Sequence, residues 1–223
     1  MEQSVSGVGV LDKSLAVVES VAGGAASLSQ VMAATGLPKA TAHRLVVALE
    51  AQGLLRRSGE TIGLGLRLRT LGRQADQAWP LADRAAPVLA WLRDETGESA
   101  QLYVCSGPRR LCVASLESLH ELRTTVEQGA LLPLDVGSGG RLLRWAEEVG
   151  TEAVAQVRPR RVFASAGERA PGVASVSAPA VVDGEVVALS VSGPIDRTGR
   201  RPGPKYGPAV IEAAERLERQ STR

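Results

Sequence analysis

Residues 35–53, which read TGLPKATAHRLVVALEAQG, decide how the N-terminal part of the chain folds. Pro38 suits the first turn of a helix, where the N–H that proline lacks would have no partner anyway. Gly36 permits a tight turn just before that helix. The positions expected on the buried stripe of the helix are Leu45, Ala48 and Leu49. Because a short helix is also expected before Gly36, the stretch predicts a helix-turn-helix.

The segments on either side of this stretch complete a winged fold. Apolar spacing predicts a first helix over residues 12–22, with Asp12 as its N-cap, and a second helix that Ser27 caps. Two short runs over residues 54–57 and 61–64, separated by a Ser-Gly-Glu turn, predict a hairpin. A hairpin in this place would be the wing of a winged helix-turn-helix.

The rest of the chain changes from helical to strand-like spacing at Gly97. Residues 66–97 are expected to be helical with a break at Pro80, since proline disfavours helical backbone at the residue before it. β-Branched or alternating runs predict strands over residues 99–106, 110–116, 122–126, 173–182 and 185–192. Further helices are expected over residues 140–156 and 208–219. The second half is therefore predicted to be α+β with a largely antiparallel sheet.

The composition excludes several classes of protein. Of the 223 residues, 44 % are hydrophobic and 22 % are charged, which is a globular balance, while 3 % aromatic residues disfavour a binder of single-stranded nucleic acid. A net charge of +2 does not by itself indicate a polyanionic partner. No apolar run approaches the roughly 20 residues that a membrane span needs, and the N-terminal pattern is not that of a secretory signal. A cytoplasmic protein without a membrane partner is expected.

The cysteines and histidines do not form a metal-ligand pattern. Cys105 and Cys112 are too far apart for a CxxC pair, and His43 and His120 are not clustered with them. The expectation is therefore two core thiols, with neither a metal nor another cofactor.

Basic and hydroxyl side chains follow the start of the predicted second helix of the motif, on the side that the buried stripe leaves free. They are Lys39, Thr41, His43 and Arg44. This part of a helix-turn-helix faces base edges and phosphates, and the guanidinium of Arg44 can engage O6 and N7 of one guanine together. Lys39 and Thr41 are expected to hold phosphates. Arg56 and Arg57 alternate on the first wing strand, so only one of them is expected to reach the DNA backbone.

At these residues the chain resembles the IclR family of bacterial transcription regulators, whose recognition segment commonly reads TGLPKST-x-x-R-L-L-x-x-L-x-x-x-G. The resemblance continues through GLGLRLRTLG, TGESAQLYV, PGVASVSAPAV and ALSVSGP, and so spans nearly the whole chain. It implies a winged helix-turn-helix domain over residues 5–65, a linker helix over residues 66–79 and a GAF-like effector-binding domain over residues 80–223. The segments TAHRL, TGESAQLY and SVSGPI resemble an actinobacterial subgroup associated with amino-acid biosynthesis genes, in particular those for leucine.

The resemblance also implies how such a protein works. It would bind a palindromic double-stranded DNA operator as a homodimer or tetramer and respond to a small molecule, such as a small carboxylate or an amino acid. The positions that correspond to the family's effector pocket are Ser138, Gly139, Val173, Ser175, Ser190 and Ser192. Backbone N–H groups at a helix N-terminus favour an anion, and serine hydroxyls can orient a carboxylate. The same serines would be equally in place if they only satisfied neighbouring backbone groups.

Two departures from the family pattern affect this pocket. The family usually carries a longer stretch after the pocket turn, and residues 141–161 compress it here, so part of the pocket cover is expected to be missing. The family also often has a lysine where Arg141 stands and an acidic residue near Ser165 that can touch the effector.

Three alternatives remain open at this point. A small helical bundle could carry the same polar face without binding DNA, and a metabolite sensor could act through protein partners alone. An enzyme would need Ser138 or Cys105 as its nucleophile. The sequence disfavours an enzyme, because Val136 breaks a Gly-x-Ser-x-Gly motif around Ser138 and Leu142 breaks a Gly-x-Gly-x-x-Gly motif. No catalytic residue is therefore expected.

Overall fold

The computed structural model describes residues 7–157 and 160–221, and the chain divides into two compact units between Trp79 and Pro80. Residues 5–6 and 222–223, at the outer ends of the predicted domains, lie outside the described residues, as do residues 158–159.

The described part of the first unit consists of three helices, a hairpin and a further helix. These are α1 (Gly9–Ala22), α2 (Leu28–Thr35), α3 (Lys39–Ala51), β1 (Leu55–Ser58), β2 (Thr61–Leu64) and α4 (Leu66–Ala78). The hydroxyl of Ser27 caps α2 by accepting a hydrogen bond from the backbone N–H of Gln30 at 3.3 Å. Gly36 ends α2 in the left-handed conformation, with φ at 67°, which gives the sharp turn into α3. The predicted helix-turn-helix and wing are both present.

Side chains from α1, α2, α3 and the hairpin share one core. Its buried members are Val17, Val21, Val31, Leu45, Val46, Leu49, Leu55 and Ile62. The prediction of Ala48 on the buried stripe was wrong, because the buried face of α3 turns toward Val46 and leaves Ala48 exposed. The prediction of Asp12 as an N-cap was also wrong, since α1 begins at Gly9 and places Asp12 in its first turn. A carboxylate in the first turn still interacts favourably with the positive end of the helix dipole.

The second unit is built on one six-stranded antiparallel sheet. Its elements are α5 (Leu81–Thr96), β3 (Ser99–Ser106), β4 (Arg109–Leu116), β5 (Leu131–Pro133), α6 (Gly137–Val149), α7 (Thr151–Gln156), β6 (Phe163–Ala166), β7 (Val173–Val182), β8 (Glu185–Pro194), α8 (Ile195–Thr198) and α9 (Gly203–Ser221). The strands follow the order β5-β4-β3-β8-β7-β6. This confirms the predicted α+β class.

The two faces of this sheet differ in chemistry. On β7, the apolar positions Ala174, Val176 and Ala178 are buried beneath α9. The alternate positions Ser175 and Ser177 face α6, because successive side chains of a strand point to opposite faces. One face is therefore an aliphatic core, and the other carries a row of hydroxyl groups under a helix.

Several predicted boundaries in this unit needed correction. Residues 122–126, predicted as a strand, form part of a loop, where Arg197 on α8 donates a hydrogen bond to the carbonyl of Leu122 at 3.1 Å. The helix predicted over residues 140–156 begins earlier and divides into α6 and α7 at Gly150, whose φ is 84°. The last helix begins at Gly203 rather than at Pro208. Strands β5 and β6 were not predicted, because three or four residues are too few to show a period.

None of the helices in the described ranges combines the length and the apolar composition that crossing a membrane would require.

Candidate DNA-binding and effector sites

The face of α3 that points away from the core carries the side chains predicted for DNA contact. Lys39, His43 and Arg44 are exposed, and Thr41 is half-buried. At about 100° per residue, Arg44 lies opposite the buried stripe, and Ala40 and Val47 lie next to it on one side. Val47 is 47 % exposed. An apolar side chain beside Arg44 can meet the methyl group of a thymine. Val47 was not predicted, although the helical spacing that gives the buried stripe also gives its position.

The wing separates the two arginines that alternate along β1. Arg57 shares a face with Leu55 and donates a hydrogen bond from Nε to Oε1 of Glu50 on α3 at 2.9 Å. Arg56 points to the other face, is exposed, and pairs in register with Gly63 on β2. Within the described part of the chain, Arg56 has no carboxylate partner. Of the two arginines, Arg56 has the guanidinium that is available to another molecule.

Five serine hydroxyls meet at the N-terminus of α6, and we call them the hydroxyl cluster. They belong to Ser138, Ser165, Ser175, Ser177 and Ser190. Oγ of Ser138 lies 2.7 Å from Oγ of Ser175 and 2.7 Å from Oγ of Ser177. The backbone N–H of Ser138 donates to Oγ of Ser165 at 3.1 Å. The first turn of α6 is thus joined by hydroxyl groups to β6, β7 and β8.

The register of the sheet explains why these serines meet. Ser165 pairs with Ser175, and Ser177 pairs with Ser190, so each pair shares the face toward α6. Gly139 allows α6 to lie close to that face, since a Cβ there would be 3.2 Å from Oγ of Ser190. Ser177 was not predicted, although strand alternation places it on the same face as Ser175.

The remaining predicted effector residues lie at the border of the cluster. Ser192 donates from Oγ to Oε1 of Gln101 at 3.1 Å rather than to another serine. Val173 is half-buried at the start of β7, opposite Pro194. Gln101, which was not predicted, is buried on β3 in register with Ser190.

Charged groups surround the turn that leads into α6. Glu168 accepts hydrogen bonds from the backbone N–H of Gly137 at 3.1 Å and from Nη1 of Arg141 at 2.9 Å. Arg110 is 3 % exposed and donates from Nη1 to the carbonyl oxygens of Pro133 and, at 2.7 Å, Val136. Burial lowers the pKa of the Arg110 guanidinium. Arg141 was noted in the sequence as a departure from the family pattern, whereas no local sequence signal marked Arg110 or Glu168.

The arrangement has the donors of a binding site but lacks a nucleophile with a base. Oγ of Ser138 contacts other hydroxyls, and the two histidines lie elsewhere, His43 on α3 and His120 in the loop after β4. Burial, followed by a hydrogen bond to Glu147, raises the pKa of the Cys105 thiol to about 11. Such a thiol is a poor nucleophile. Among the described residues, no group of three or more His, Cys, Asp or Glu side chains could hold a metal ion.

Comparisons with known proteins show what the two units are similar to. The model of the IclR helix-turn-helix domain matches residues 10–59. The chain is 26 % identical to the transcriptional repressor IclR of Escherichia coli strain K12, and the match covers 93 % of this chain and 88 % of that protein.

Solved structures show the same fold. An IclR family transcriptional regulator of Brucella abortus has a TM-score of 0.74 at 21 % identity, with 96 % of this chain and 92 % of that chain covered. An IclR homolog of Microbacterium hydrocarbonoxydans, solved in complex with 4-hydroxybenzoate, has a TM-score of 0.75 at 22 % identity, with 96 % and 99 % covered.

These relatives are regulators and not enzymes, as predicted. The DNA-binding motif of the first unit lies within the matched range, and the repressor match extends over both units. The first unit contains an IclR-type helix-turn-helix domain, and the chain as a whole is similar to transcription regulators of the IclR family.

Proposed function

We propose that the chain is a transcription regulator of the IclR family that binds a palindromic operator as a homodimer, and that a small carboxylate bound beside the hydroxyl cluster tunes its affinity for DNA. The observation that most supports the DNA arrangement is the exposed face of α3, with Arg44 at its centre. In that arrangement α3 enters the major groove, where Arg44 and His43 face base edges. Lys39 and Thr41 hold phosphates near the start of the helix, and Arg56 contacts the backbone from the wing.

Exposed apolar side chains on two helices of the first unit support the dimer. On α1 they are Val10, Leu11 and Leu15, which are 63 %, 49 % and 52 % exposed. On α4, Leu66 is 75 % exposed and Leu71 is 47 % exposed. Apolar surface of this kind is typical of a protein interface. A second copy of the chain is the partner that a two-fold symmetric operator requires.

The effector part of the proposal is supported by the chemistry at the N-terminus of α6. Backbone N–H groups at that position favour an anion, and the hydroxyl cluster supplies groups that orient it. The Microbacterium relative was solved with 4-hydroxybenzoate, which is itself a carboxylate. For the target genes, the resemblance of TAHRL, TGESAQLY and SVSGPI supports control of amino-acid biosynthesis, with leucine as an effector that carries a carboxylate.

Footprinting upstream of the protein's own gene and of neighbouring amino-acid biosynthesis genes tests the DNA-binding part. We expect a protected palindrome at low and moderate salt, and we expect leucine or another small carboxylate to change the protein concentration required. No protected sequence at either salt concentration would favour a sensor that acts through protein partners.

The variant Arg44→Ala tests the base contact. It should weaken operator binding by about 1–3 kcal/mol and relax the preference at one base pair of each half-site, because the guanidinium would no longer distinguish that base. The measurement is binding to the operator and to singly substituted operators. An equal loss on all of these sequences would reassign Arg44 to a phosphate.

A further inference from the structure

The position that an anionic ligand would take at the N-terminus of α6 is held by a carboxylate of the protein itself. Oε2 of Glu168 accepts from the backbone N–H of Gly137 at 3.1 Å, and Oε1 accepts from Arg141 at 2.9 Å. A backbone N–H at a helix N-terminus together with a guanidinium is a donor set that recognises free carboxylates. The carboxylate of Glu168 therefore already occupies the anion-binding end of the 13-residue helix α6.

The segment that carries Glu168 can release it without disturbing the sheet. Backbone hydrogen bonds fix both ends of residues 167–172, from Gly167 N–H to the carbonyl of Val173 at 2.8 Å and from Ile195 N–H to the carbonyl of Gly172 at 2.7 Å. The side chains of Glu168 and Arg141 are 35 % and 50 % exposed. Since water screens an ion pair at such exposure, the pair is weak and Glu168 can turn into solvent.

A second and independent observation indicates that an acceptor-bearing ligand belongs here. Within the described residues, Nε of the buried Arg110 has no hydrogen-bond partner. Nη2 of Arg110 lies 3.4 Å from the position that a Cβ on Gly137 would take, so the guanidinium adjoins the turn that Glu168 caps. A buried donor without an acceptor is costly, and a ligand oxygen would remove that cost.

The other end of the hydroxyl cluster has a similar unpaired donor. Gln101 is fully buried, and its Nε2 has no hydrogen-bond partner among the described residues. Gln101 pairs in register with Ser190, so its side chain shares the face toward α6. Both unpaired atoms are N–H donors. They suit a ligand with a carboxylate at the Arg110 end and a second oxygen acceptor at the Gln101 end.

We propose that Glu168 is a built-in competitor of the effector. Its carboxylate occupies the donors of Gly137 and Arg141 when no effector is bound, and an effector carboxylate must displace it. The contact then sets the concentration at which the effector acts. This inference rests on the proposed function, since it concerns the same effector site.

The test compares Glu168→Gln with Glu148→Gln in the full-length protein. Glu148 is exposed on α6 beyond its first turn, so the control makes the same change of charge without touching the donors. The probes are acetate, benzoate, 4-hydroxybenzoate and L-leucine. Calorimetry and ligand-dependent thermal stabilisation measure the binding of each probe. We expect the Glu168→Gln variant to bind at least one probe about five- to tenfold more tightly than the wild type, and Glu148→Gln to bind as the wild type does.

The outcomes separate this inference from the function on which it rests. If wild type and Glu168→Gln bind a probe with equal affinity, Glu168 does not compete with the effector, while the proposal that the protein binds a carboxylate stands. If neither wild type nor Glu168→Gln binds any probe, both the competition by Glu168 and the proposed binding of a carboxylate are contradicted. Glu168→Asp keeps the charge and shortens the side chain, so it serves if circular dichroism shows that Glu168→Gln does not fold. Glu168→Asp should also bind the probe more tightly than the wild type, by a smaller factor than Glu168→Gln. Unchanged or weaker binding by Glu168→Asp would contradict the proposed competition.

Discussion

At the scale of single residues, the two wing arginines differ in what already holds them. Glu50 holds Arg57, whereas the guanidinium of Arg56 is exposed. We therefore expect Arg56→Ala to weaken binding to the operator and to unrelated DNA alike, and to reduce the slope of log affinity against log salt by about 0.9, the value for one phosphate contact. Arg57→Ala is the matched control and should change the slope less. Fluorescence anisotropy at several salt concentrations gives both slopes. If the two variants reduce the slope equally, Arg57 must release Glu50 and contact a phosphate when the protein binds DNA.

A second prediction at this scale concerns the half-buried thiol of Cys105. Burial and the hydrogen bond to Glu147, whose Oε1 lies 2.8 Å from Sγ, raise its pKa to about 11. A raised pKa favours the neutral thiol, so alkylation by iodoacetamide at pH 8 should be slow and should increase up to about pH 11. Glu147→Gln removes the nearby negative charge and should speed the reaction at pH 8.

Mass spectrometry of tryptic peptides measures that rate separately for each cysteine. Cys112 is fully buried, and burial raises its pKa to about 11 as well, so its peptide should stay unmodified while the protein is folded. A wild-type rate at Cys105 that levels off below pH 9 would contradict the raised pKa.

At the scale of elements, the start of α4 is fixed against the end of α3. The N–H of Gly65 donates to the carbonyl of Leu54 at 2.8 Å, and Arg67 donates to the carbonyl of Gln52 at 3.1 Å. A Cβ on Gly65 would lie 2.6 Å from the carbonyl carbon of Gly53 and closer still to its oxygen. Because these are backbone atoms, they cannot turn aside as a side chain would.

Two glycine variants should therefore have opposite effects on stability. Gly65→Ala should lower the free energy of unfolding of the first unit by about 1–3 kcal/mol through overpacking. Gly72→Ala, inside α4 where a Cβ meets no described atom within 4 Å, should raise it by about 0.5–1 kcal/mol. Urea unfolding followed by circular dichroism measures both changes. A loss of equal size at the two positions would show that α4 tolerates neither side chain, and that the close approach at Gly65 is not the cause.

The elements also show where sequence reasoning succeeds. Ser27, Gly36 and Pro38 act within one or two turns of their own positions, so the helix-turn-helix could be predicted from local chemistry. Residues 122–126 have the β-branched composition of a strand, but tertiary contacts such as Arg197 to the carbonyl of Leu122 hold them in a loop.

The candidate effector site divides in the same way. Ser138, Ser175 and Ser190 came from the family resemblance, and Ser177 follows from strand alternation. Arg110 and Glu168 meet at Gly137 although they are distant in the sequence and lie on different segments. No periodicity carries such information, because the meeting point depends on how α6 packs against the sheet.

At the scale of the whole molecule, the proposed dimer determines what the protein can recognise. One α3 helix offers a few side chains to a half-site, which limits both affinity and specificity. Two copies related by a two-fold axis double these contacts, and the second half-site then binds at a high effective concentration. The exposed leucines of α1 and α4 must be covered for this gain to appear.

The spacing of the operator half-sites tests that arrangement directly. Two recognition helices of a symmetric dimer lie about one helical turn apart, roughly 10 base pairs. Inserting about five base pairs between the half-sites places the second one on the opposite side of the DNA, so affinity should fall close to that of an isolated half-site. The variant Leu15→Glu places a charge on the exposed apolar face of α1. It should shift the protein toward monomer in light scattering and make binding insensitive to the insertion. Equal affinity of the wild type for both spacings would show that the two half-sites are bound independently.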